Sequence, residues 1–178
     1  PRCCSSAASD VYKRQICALG PLTNIAKVLR ENPRVTESIE EIVLMGGGFF
    51  EGGNITPAAE FNIYVDPEAA KIVLESGVKI TMLPLDVTHK TLVQRDFLEK
   101  LRKSGKNSAI EAAKLLDFFE RYDVEKYGSK GGPLHDPNVI VYLLNPTIYS
   151  GKLVNVEIEV NSELTRGMTV VDWWSVTN

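Results

Sequence analysis

Residues 42–62, which read IVLMGGGFFEGGNITPAAEFN, constrain the fold of this chain more than any other stretch. They begin with four apolar residues, 42–45, a run that suits a strand buried on both faces of a parallel sheet. Glycines follow at 46–48 and again at 52–53, and glycine permits positive φ and close approach of a ligand to the backbone. Because ligands of open α/β sheets bind beyond the carboxyl ends of the strands, the loop after residue 45 is a candidate binding site.

Three side chains in this loop can grip a hydroxyl-rich ligand. Asn54, Glu60 and Asn62 provide a carboxylate between two amides, and each amide both donates and accepts hydrogen bonds. This combination favours a small polyhydroxylated ligand at the strand end. The alternative is a glycine-rich turn whose polar residues are simply solvated, since such loops are common. The residues of the loop alone leave both interpretations open.

Composition narrows the class of partner. The chain has 178 residues, 44% hydrophobic and 24% charged, which is typical of one globular domain with a real core. Its formal net charge of −3 and the lack of a long basic run argue against nucleic acid as a partner. No apolar segment approaches the roughly 20 residues that cross a bilayer, so no membrane partner is expected. The cysteines, at positions 3, 4 and 17, form no plausible disulfide framework or metal site, which indicates a reducing, cytoplasmic compartment.

The first fifteen residues do not read as part of a folded domain. The string PRCCSSAASDVYKRQ has no apolar periodicity, yet Ile16 opens inside a strand-like run. Residues 10–15, DVYKRQ, resemble a frame-translated adapter from a sequencing library, with a disordered natural tail as the alternative. We therefore expect residues 1–15 to be a non-native leader and residues 16–178 to be a partial domain whose natural N-terminal part is absent.

Strands and helices alternate over the first half of the chain. Buried strands are expected at 16–19, 42–45 and 78–85. One helix is expected to be capped by Thr23 or Asn24, and a second by Asp66. Short connections between such elements predict an open, mostly parallel α/β sheet flanked by helices, with right-handed crossovers.

The second half of the chain predicts further helices and then a pair of strands. Amphipathic helices are expected at 94–104 and 108–122, and another begins at Pro137. Alternating apolar and polar residues over 152–160, and a second such run over 168–173, indicate two half-buried strands. We expect these strands to pair as an antiparallel hairpin on the edge of the main sheet.

His135 and Asp136 form a second candidate site. Histidine can donate a proton near neutral pH, and an aspartate carboxylate can bind a hard cation. The alternative is that Asp136 only caps the following helix and that His135 is a surface side chain. The other histidine, His89, follows Thr88 in what reads as a turn, so a structural role is favoured for it.

Several well-known ligand motifs are missing. The glycines at 46–48 do not have the G-x-G-x-x-G spacing of dinucleotide-binding loops, and the chain has no phosphate-loop Gly-Lys-Ser/Thr. A nucleophile elbow and cysteine metal pairs are also missing. Neutral, hydroxyl-rich ligands are therefore favoured over phosphorylated ones.

Six short strings together resemble the inosine–uridine preferring nucleoside hydrolases. They are ALGPLTNIA, IVLMGGG, GN followed by AEFN, DPEAA, LDVT and HDP, and they match in order and approximate spacing from Ile16 to the C-terminus. The resemblance implies an open α/β fold with a mostly parallel sheet. It implies hydrolysis of the N-glycosidic bond of ribonucleosides to ribose and free base, with a bound calcium ion. It also implies a role in purine and pyrimidine salvage and a dimeric or tetrameric parent protein.

The resemblance assigns roles to particular residues. Asn54, Glu60 and Asn62 would hold the ribose hydroxyls, with Met45 and Phe61 packed near the sugar. Calcium ligands would be the carboxylate of Asp136 and the backbone carbonyl of Leu19, and His135 would donate a proton to the leaving base. Acidic and amide groups around the ribose suit this chemistry, because glycosidic cleavage passes through an oxocarbenium-like state.

One family motif has no counterpart in this chain. The aspartate-rich N-terminal motif supplies the remaining calcium ligands and the general base, and Asp10, in the leader, does not match it. We therefore expect the chain alone to bind calcium poorly and to lack turnover, and to expose apolar sheet surface. A non-catalytic nucleoside- or sugar-binding module and a different glycosidase remain alternatives. Base preference stays open, and Tyr122 and Tyr127 are either base-stacking or packing residues.

Overall fold

A computed structural model describes residues 14–127 and 131–177, with side chains up to residue 118 and from residue 131 onward. Most of the predicted leader, together with the side chains of Tyr122 and Tyr127, therefore lies outside the described residues. The chain divides into two compact units. The first contains the residues up to Asp86 and those from Asp136 onward, and the second is Val87–His135.

The first unit is built on a parallel sheet. Its strands are β1 (Arg14–Ala18), β2 (Ile39–Met45) and β3 (Ile80–Leu83), hydrogen-bonded in the order β1-β2-β3. The three predicted parallel strands are confirmed, with β1 beginning two residues inside the predicted leader. The prediction for 84–85 was wrong, because the chain turns at Pro84 and residue 85 opens the short helix α4 (Leu85–Thr88).

Three helices connect these strands: α1 (Thr23–Glu31), α2 (Phe61–Tyr64) and α3 (Pro67–Leu74). Asp66 caps α3 as predicted, accepting the backbone N–H of Ala69 at 3.1 Å. The predicted cap of α1 was wrong, because Leu22 occupies that position and makes no side-chain cap bond. Thr23 is already helical, and its hydroxyl donates to Asp66 Oδ2 at 2.5 Å, so it links the starts of the two helices.

The core of this unit lies around the central strand. Ile42, Val43 and Leu44 in β2 are 0–1% exposed, as a doubly covered strand requires. Ala70 and Val73 of α3 are both fully buried. Full burial of each large apolar side chain contributes about 1.5–3 kcal/mol. This packing fixes the carboxyl end of β2, from which the glycine-rich loop departs.

The C-terminal part of the first unit adds a helix and a separate strand pair. The helix α7 (Pro137–Leu144) begins where predicted, and β6 (Asn155–Ile158) pairs antiparallel with β7 (Thr169–Asp172). The antiparallel pairing is confirmed, but its placement on the edge of the main sheet was wrong. Within residues 14–127 and 131–177 the pair forms a two-stranded sheet of its own. Ile158 packs into the α1–α3 core, so β6 covers a helix instead of extending the sheet.

The second unit is mostly helical. It contains β4 (Leu92–Val93), α5 (Arg95–Lys103), α6 (Asn107–Tyr127) and β5 (Gly132–Pro133), with β4 and β5 antiparallel. Both predicted helices are confirmed, and α6 continues five residues past the predicted end at 122. A small core of Val93, Leu98 and Ala113 holds the unit together. None of the helices described is both long and apolar enough to cross a membrane.

Candidate functional site

The loop that follows β2 depends on its glycines. Gly47 has φ +76°, a left-handed conformation that costs other residues energy. A Cβ on Gly48 would lie 2.1 Å from the carbonyl oxygen of Gly52, and one on Gly53 would lie 2.2 Å from that of Thr56. The loop is therefore folded back on itself so tightly that only glycine fits at these turns.

Glu60 lies at the centre of the loop. It is the N-cap of α2, and its carboxylate accepts the backbone N–H groups of Asn62 and Gly47, each at 3.0 Å. The residue is 2% exposed. Desolvation by burial raises the pKa of Glu60, and the nearby carboxylate of Asp136 raises it further, against the lowering effect of the backbone hydrogen bonds. The side chain thus ties the loop to the helix that follows it.

The two amides flank Glu60 as predicted. Asn62 donates its Nδ2 hydrogen to the carbonyl of Met45 at 3.0 Å, and Nδ2 also lies 3.4 Å from Met45 Sδ. Asn54 Oδ1 accepts the backbone N–H of Phe61 at 2.9 Å. Glu60, Asn62 and Met45 are buried, whereas Phe61 is 47% exposed. The structure therefore brings all five predicted sugar-contacting residues together, and a merely solvated turn is inconsistent with the burial of Glu60 and Asn62.

Asp86 is a loop-holding residue that the sequence did not reveal. Its carboxylate accepts three successive backbone N–H groups, those of Phe49 at 2.8 Å, Phe50 at 2.7 Å and Glu51 at 3.2 Å. Asp86 belongs to α4, directly beyond the carboxyl end of β3. The string LDVT after a buried strand is the only signal that could have drawn attention to it.

The two predicted calcium ligands are in the first unit. Asp136 precedes α7, and its carboxylate makes no cap hydrogen bond, so the interpretation of Asp136 as only a helix cap does not fit. Leu19 follows directly after β1 at the carboxyl end of the strand and is 41% exposed. The charge of Asp136 makes the smallest of the contributions to the shift in the pKa of Glu60.

His135 belongs to the second unit. Its Nδ1 lies 2.8 Å from the hydroxyl of Thr88, which is fully buried. The ring of His89 stands edge-on to it, with 5.9 Å between centroids. Desolvation, together with the charge of His89, lowers the pKa of His135 to about 4. His135 is therefore half-buried and oriented by Thr88, unlike a solvated surface histidine.

A calcium ion takes six to eight oxygen ligands in proteins. Among residues 14–127 and 131–177, no cluster of three or more His, Cys, Asp or Glu side chains is placed to hold a metal. The predicted ligands amount to one carboxylate, of Asp136, and one carbonyl, of Leu19. These two donors alone do not make a calcium site.

Comparison with known proteins establishes the family. The family model for inosine-uridine preferring nucleoside hydrolases matches residues 4–178. The chain therefore belongs to the inosine-uridine preferring nucleoside hydrolase family, which confirms the resemblance seen in its motifs.

Individual relatives agree with this membership. The chain is 52% identical over 161 residues to the Schizosaccharomyces pombe protein C1683.06c, covering 90% of this chain and 52% of that one. It is 50% identical over 160 residues to the pyrimidine-specific ribonucleoside hydrolase RihA of Photobacterium profundum, covering 89% and 51%. A solved purine-preferring ribonucleoside hydrolase from Gardnerella vaginalis superposes with a TM-score of 0.85 at 32% identity, covering 94% and 54%. The chain thus spans about half the length of the relatives it matches.

Proposed function

We propose that the protein to which this chain belongs hydrolyses the N-glycosidic bond of ribonucleosides, and that residues 45–62 grip the ribose. The observation that supports this proposal most strongly is the buried carboxylate of Glu60 at the end of β2, which the backbone N–H groups of Gly47 and Asn62 hold in place. The side chain of Asn54 is anchored beside it, on the N–H of Phe61. Membership of the nucleoside hydrolase family supports the reaction.

The anchoring bonds give each amide a defined polarity toward a ligand. Asn54 uses Oδ1 to hold Phe61, which leaves its Nδ2 to donate to a hydroxyl. Asn62 uses Nδ2 to hold Met45, which leaves its Oδ1 to accept from one. Glu60 accepts backbone N–H groups and has further lone pairs for a sugar hydroxyl. A donor, an acceptor and a carboxylate together match the hydroxyls of a ribose.

The same groups favour bond cleavage. Positive charge develops on the ribose as the glycosidic bond breaks, and a buried carboxylate near the sugar stabilises that charge. Protonation of the departing base supplies a second driving force, for which His135 is the proposed donor. Because the pKa of His135 is lowered to about 4, this role requires the ring to take up a proton when the substrate binds. The contact of its Nδ1 with Thr88 Oγ1 at 2.8 Å orients the imidazole ring.

We further propose pyrimidine ribonucleosides as the preferred substrates and calcium as the resident ion. The relative named as pyrimidine-specific is 50% identical, against 32% for the one named as purine-preferring. Asp136 and the carbonyl of Leu19 are the donors of this chain proposed to contact the ion.

Ribose release by the full-length protein that contains this chain tests the function. The purified protein is incubated with uridine, cytidine and inosine, with added calcium or with chelator, and reducing sugar is measured. We expect calcium-dependent release that is fastest for the pyrimidines and is lost in Glu60→Ala. Tight ribose or nucleoside binding without any release would instead identify a non-catalytic binding protein.

A further inference from the structure

The carboxylate of Asp86 organises the loop that carries the proposed ribose-gripping residues. It accepts the N–H groups of Phe49, Phe50 and Glu51 at 2.7–3.2 Å. The preceding residue, Leu85, is fully buried and donates its backbone N–H to the carbonyl of Gly47 at 2.9 Å. Two consecutive residues of α4 therefore hold the loop at four backbone positions.

The loop passes this restraint on to Glu60. The peptide of Gly47 is held on both sides, because its carbonyl accepts from Leu85 while its own N–H donates to Glu60 Oε2 at 3.0 Å. The surroundings of the loop are tight, since a Cβ at Gly47 would lie 2.7 Å from Thr169 Oγ1. A displacement of residues 49–51 therefore has little room to be absorbed before it reaches the Gly47–Glu60 bond.

We propose that Asp86 is a positioning residue for the ribose site. It acts through the loop backbone and does not itself touch the sugar. Each of its hydrogen bonds joins a carboxylate to a backbone N–H, a charge-assisted type stronger than a neutral pair. The hydrogen bonds of Asp86 support the positioning role by themselves, and only the identity of the ligand rests on the proposed function.

Trp173 provides a readout of the loop that does not depend on activity. Its ring stacks on Phe49 with centroids 6.1 Å apart and meets Phe50 edge-on at 5.4 Å. The chain has two tryptophans, so a Trp174→Phe background leaves Trp173 as the only one. In that background we expect Asp86→Asn to change the Trp173 emission and at least double its quenching by acrylamide. An asparagine oxygen can replace only one carboxylate oxygen, and its NH₂ group faces an N–H where the other was.

Two further variants sharpen the test. Asp96→Asn makes the same chemical change at an exposed ion pair with Lys100 and should leave Trp173 unchanged. Asp86→Glu keeps the charge but moves the carboxylate, and a smaller change in the same direction is expected. Unaltered Trp173 quenching in Asp86→Asn would overturn the proposal. Folding of both Asp86 variants is measured by circular dichroism. If neither variant folds, the proposal is also overturned, because Asp86 would then be required by the whole fold.

The kinetics of ribose release by the full-length protein distinguish a failure of this proposal from a failure of the proposed function. If the unmodified protein releases ribose, we expect Asp86→Asn to lower kcat/KM roughly 10- to 100-fold, as displacement of a positioned group does, with Asp96→Asn within twofold of the unmodified protein. A disturbed loop with unchanged kcat/KM would overturn the positioning of the ribose site. If the unmodified protein releases no ribose, the proposed function fails, while the Trp173 measurement still decides whether Asp86 holds the loop.

Discussion

Gly47 donates its backbone N–H to Oε2 of Glu60 at 3.0 Å from a left-handed conformation with φ +76°. A side chain at this position would meet Thr169 Oγ1 at 2.7 Å and Met82 Sδ at 3.1 Å. The glycine is therefore required both by the backbone angle and by the neighbouring β7 strand. Its presence allows the carboxylate of Glu60 to reach the backbone of the loop.

A comparison of two glycines tests this requirement. Gly77 also has φ +76°, but nothing lies within 4 Å of its would-be Cβ. We expect Gly77→Ala to cost only the left-handed penalty, about 1–2 kcal/mol in the free energy of unfolding. Gly47→Ala should cost about 1–3 kcal/mol more, because it also overpacks a buried site. Urea unfolding of both variants measures the difference, and equal losses would show that the contact with Thr169 is unimportant.

Replacement of Glu60 by glutamine tests its structural role. A carboxamide oxygen in the place of Oε2 can still accept from Gly47 and Asn62, but the NH₂ group in the place of Oε1 then faces the N–H of Asn62, so one buried polar contact is lost. Such a loss costs about 1–3 kcal/mol, and removal of a desolvated charge places the expected value in the lower half of that range. Glu75→Gln, at an exposed pair with Lys71, is the matched control and should stay within about 0.5 kcal/mol. A Glu60→Gln variant as stable as that control would contradict the role described here.

Glu41 gives a pH dependence of stability whose sign can be stated. This residue of β2 is 5% exposed; it accepts the Thr81 hydroxyl at 2.5 Å and pairs with Lys79 at 3.1 Å. Desolvation by burial acts to raise its pKa, but the hydrogen bonds from Thr81 and Lys79 and the charge of Lys79 outweigh it, so the pKa of Glu41 lies below its ordinary value of 4.5. A lowered pKa means that the ionised carboxylate contributes stability above pH 4.5, and that this contribution is lost as the pH falls through the folded-state pKa.

The measurement compares the unmodified chain with Glu41→Gln by urea unfolding between pH 3 and pH 7. We expect the unmodified chain to be more stable at pH 7 and the difference between the two to shrink below pH 4.5. Glu40→Gln, on the exposed neighbouring residue, should show no such change. A constant difference across the whole range would show that Glu41 is not held in its ionised form.

Thr88 is expected to set the orientation of His135. Thr88→Val keeps the shape of the side chain but removes the hydroxyl that contacts Nδ1 at 2.8 Å. We expect a loss of about 1 kcal/mol in the free energy of unfolding and a change in the tautomer populations of the His135 ring, measured by ¹⁵N NMR. Thr88→Ser retains the hydroxyl and should preserve the tautomer. An unchanged His135 spectrum in Thr88→Val would contradict the orienting role.

Local patterns predicted much of this fold. The apolar run at 42–45 and the Asp66-Pro67 start of α3 depend on neighbouring residues only, and the structure confirms both. The grouping of Asn54, Glu60 and Asn62 could also be predicted, because one loop carries all three, whereas their role toward a ligand stays a prediction. The hydrogen bond between Asp86 and Phe49 joins residues 37 positions apart, and the contact between Thr88 and His135 joins residues 47 positions apart. Such contacts arise from how the elements pack, and nothing in the local sequence encodes them.

The predicted position of the C-terminal strand pair was wrong for a related reason. Alternation over 152–160 correctly indicated an extended segment, but Leu153 is 98% exposed and only Asn155–Ile158 pairs with β7. An alternating pattern indicates which face of a strand is buried, but it does not indicate which element covers that face. Here the buried face covers α3, where Arg166 Nη2 also contacts Glu68 Oε1 at 2.6 Å.

Glu60 holds the loop backbone and is also proposed to contact the sugar, and this double role has an evolutionary consequence. Any residue that replaces it must satisfy the donors of Gly47 and Asn62 before it can contact a ligand at all. Selection for a folded loop and selection for the proposed sugar recognition would therefore act on the same two oxygen atoms. A descendant that lost catalysis would still be expected to retain this glutamate, so its presence in a sequence is a record of ancestry and foldability as much as of present activity.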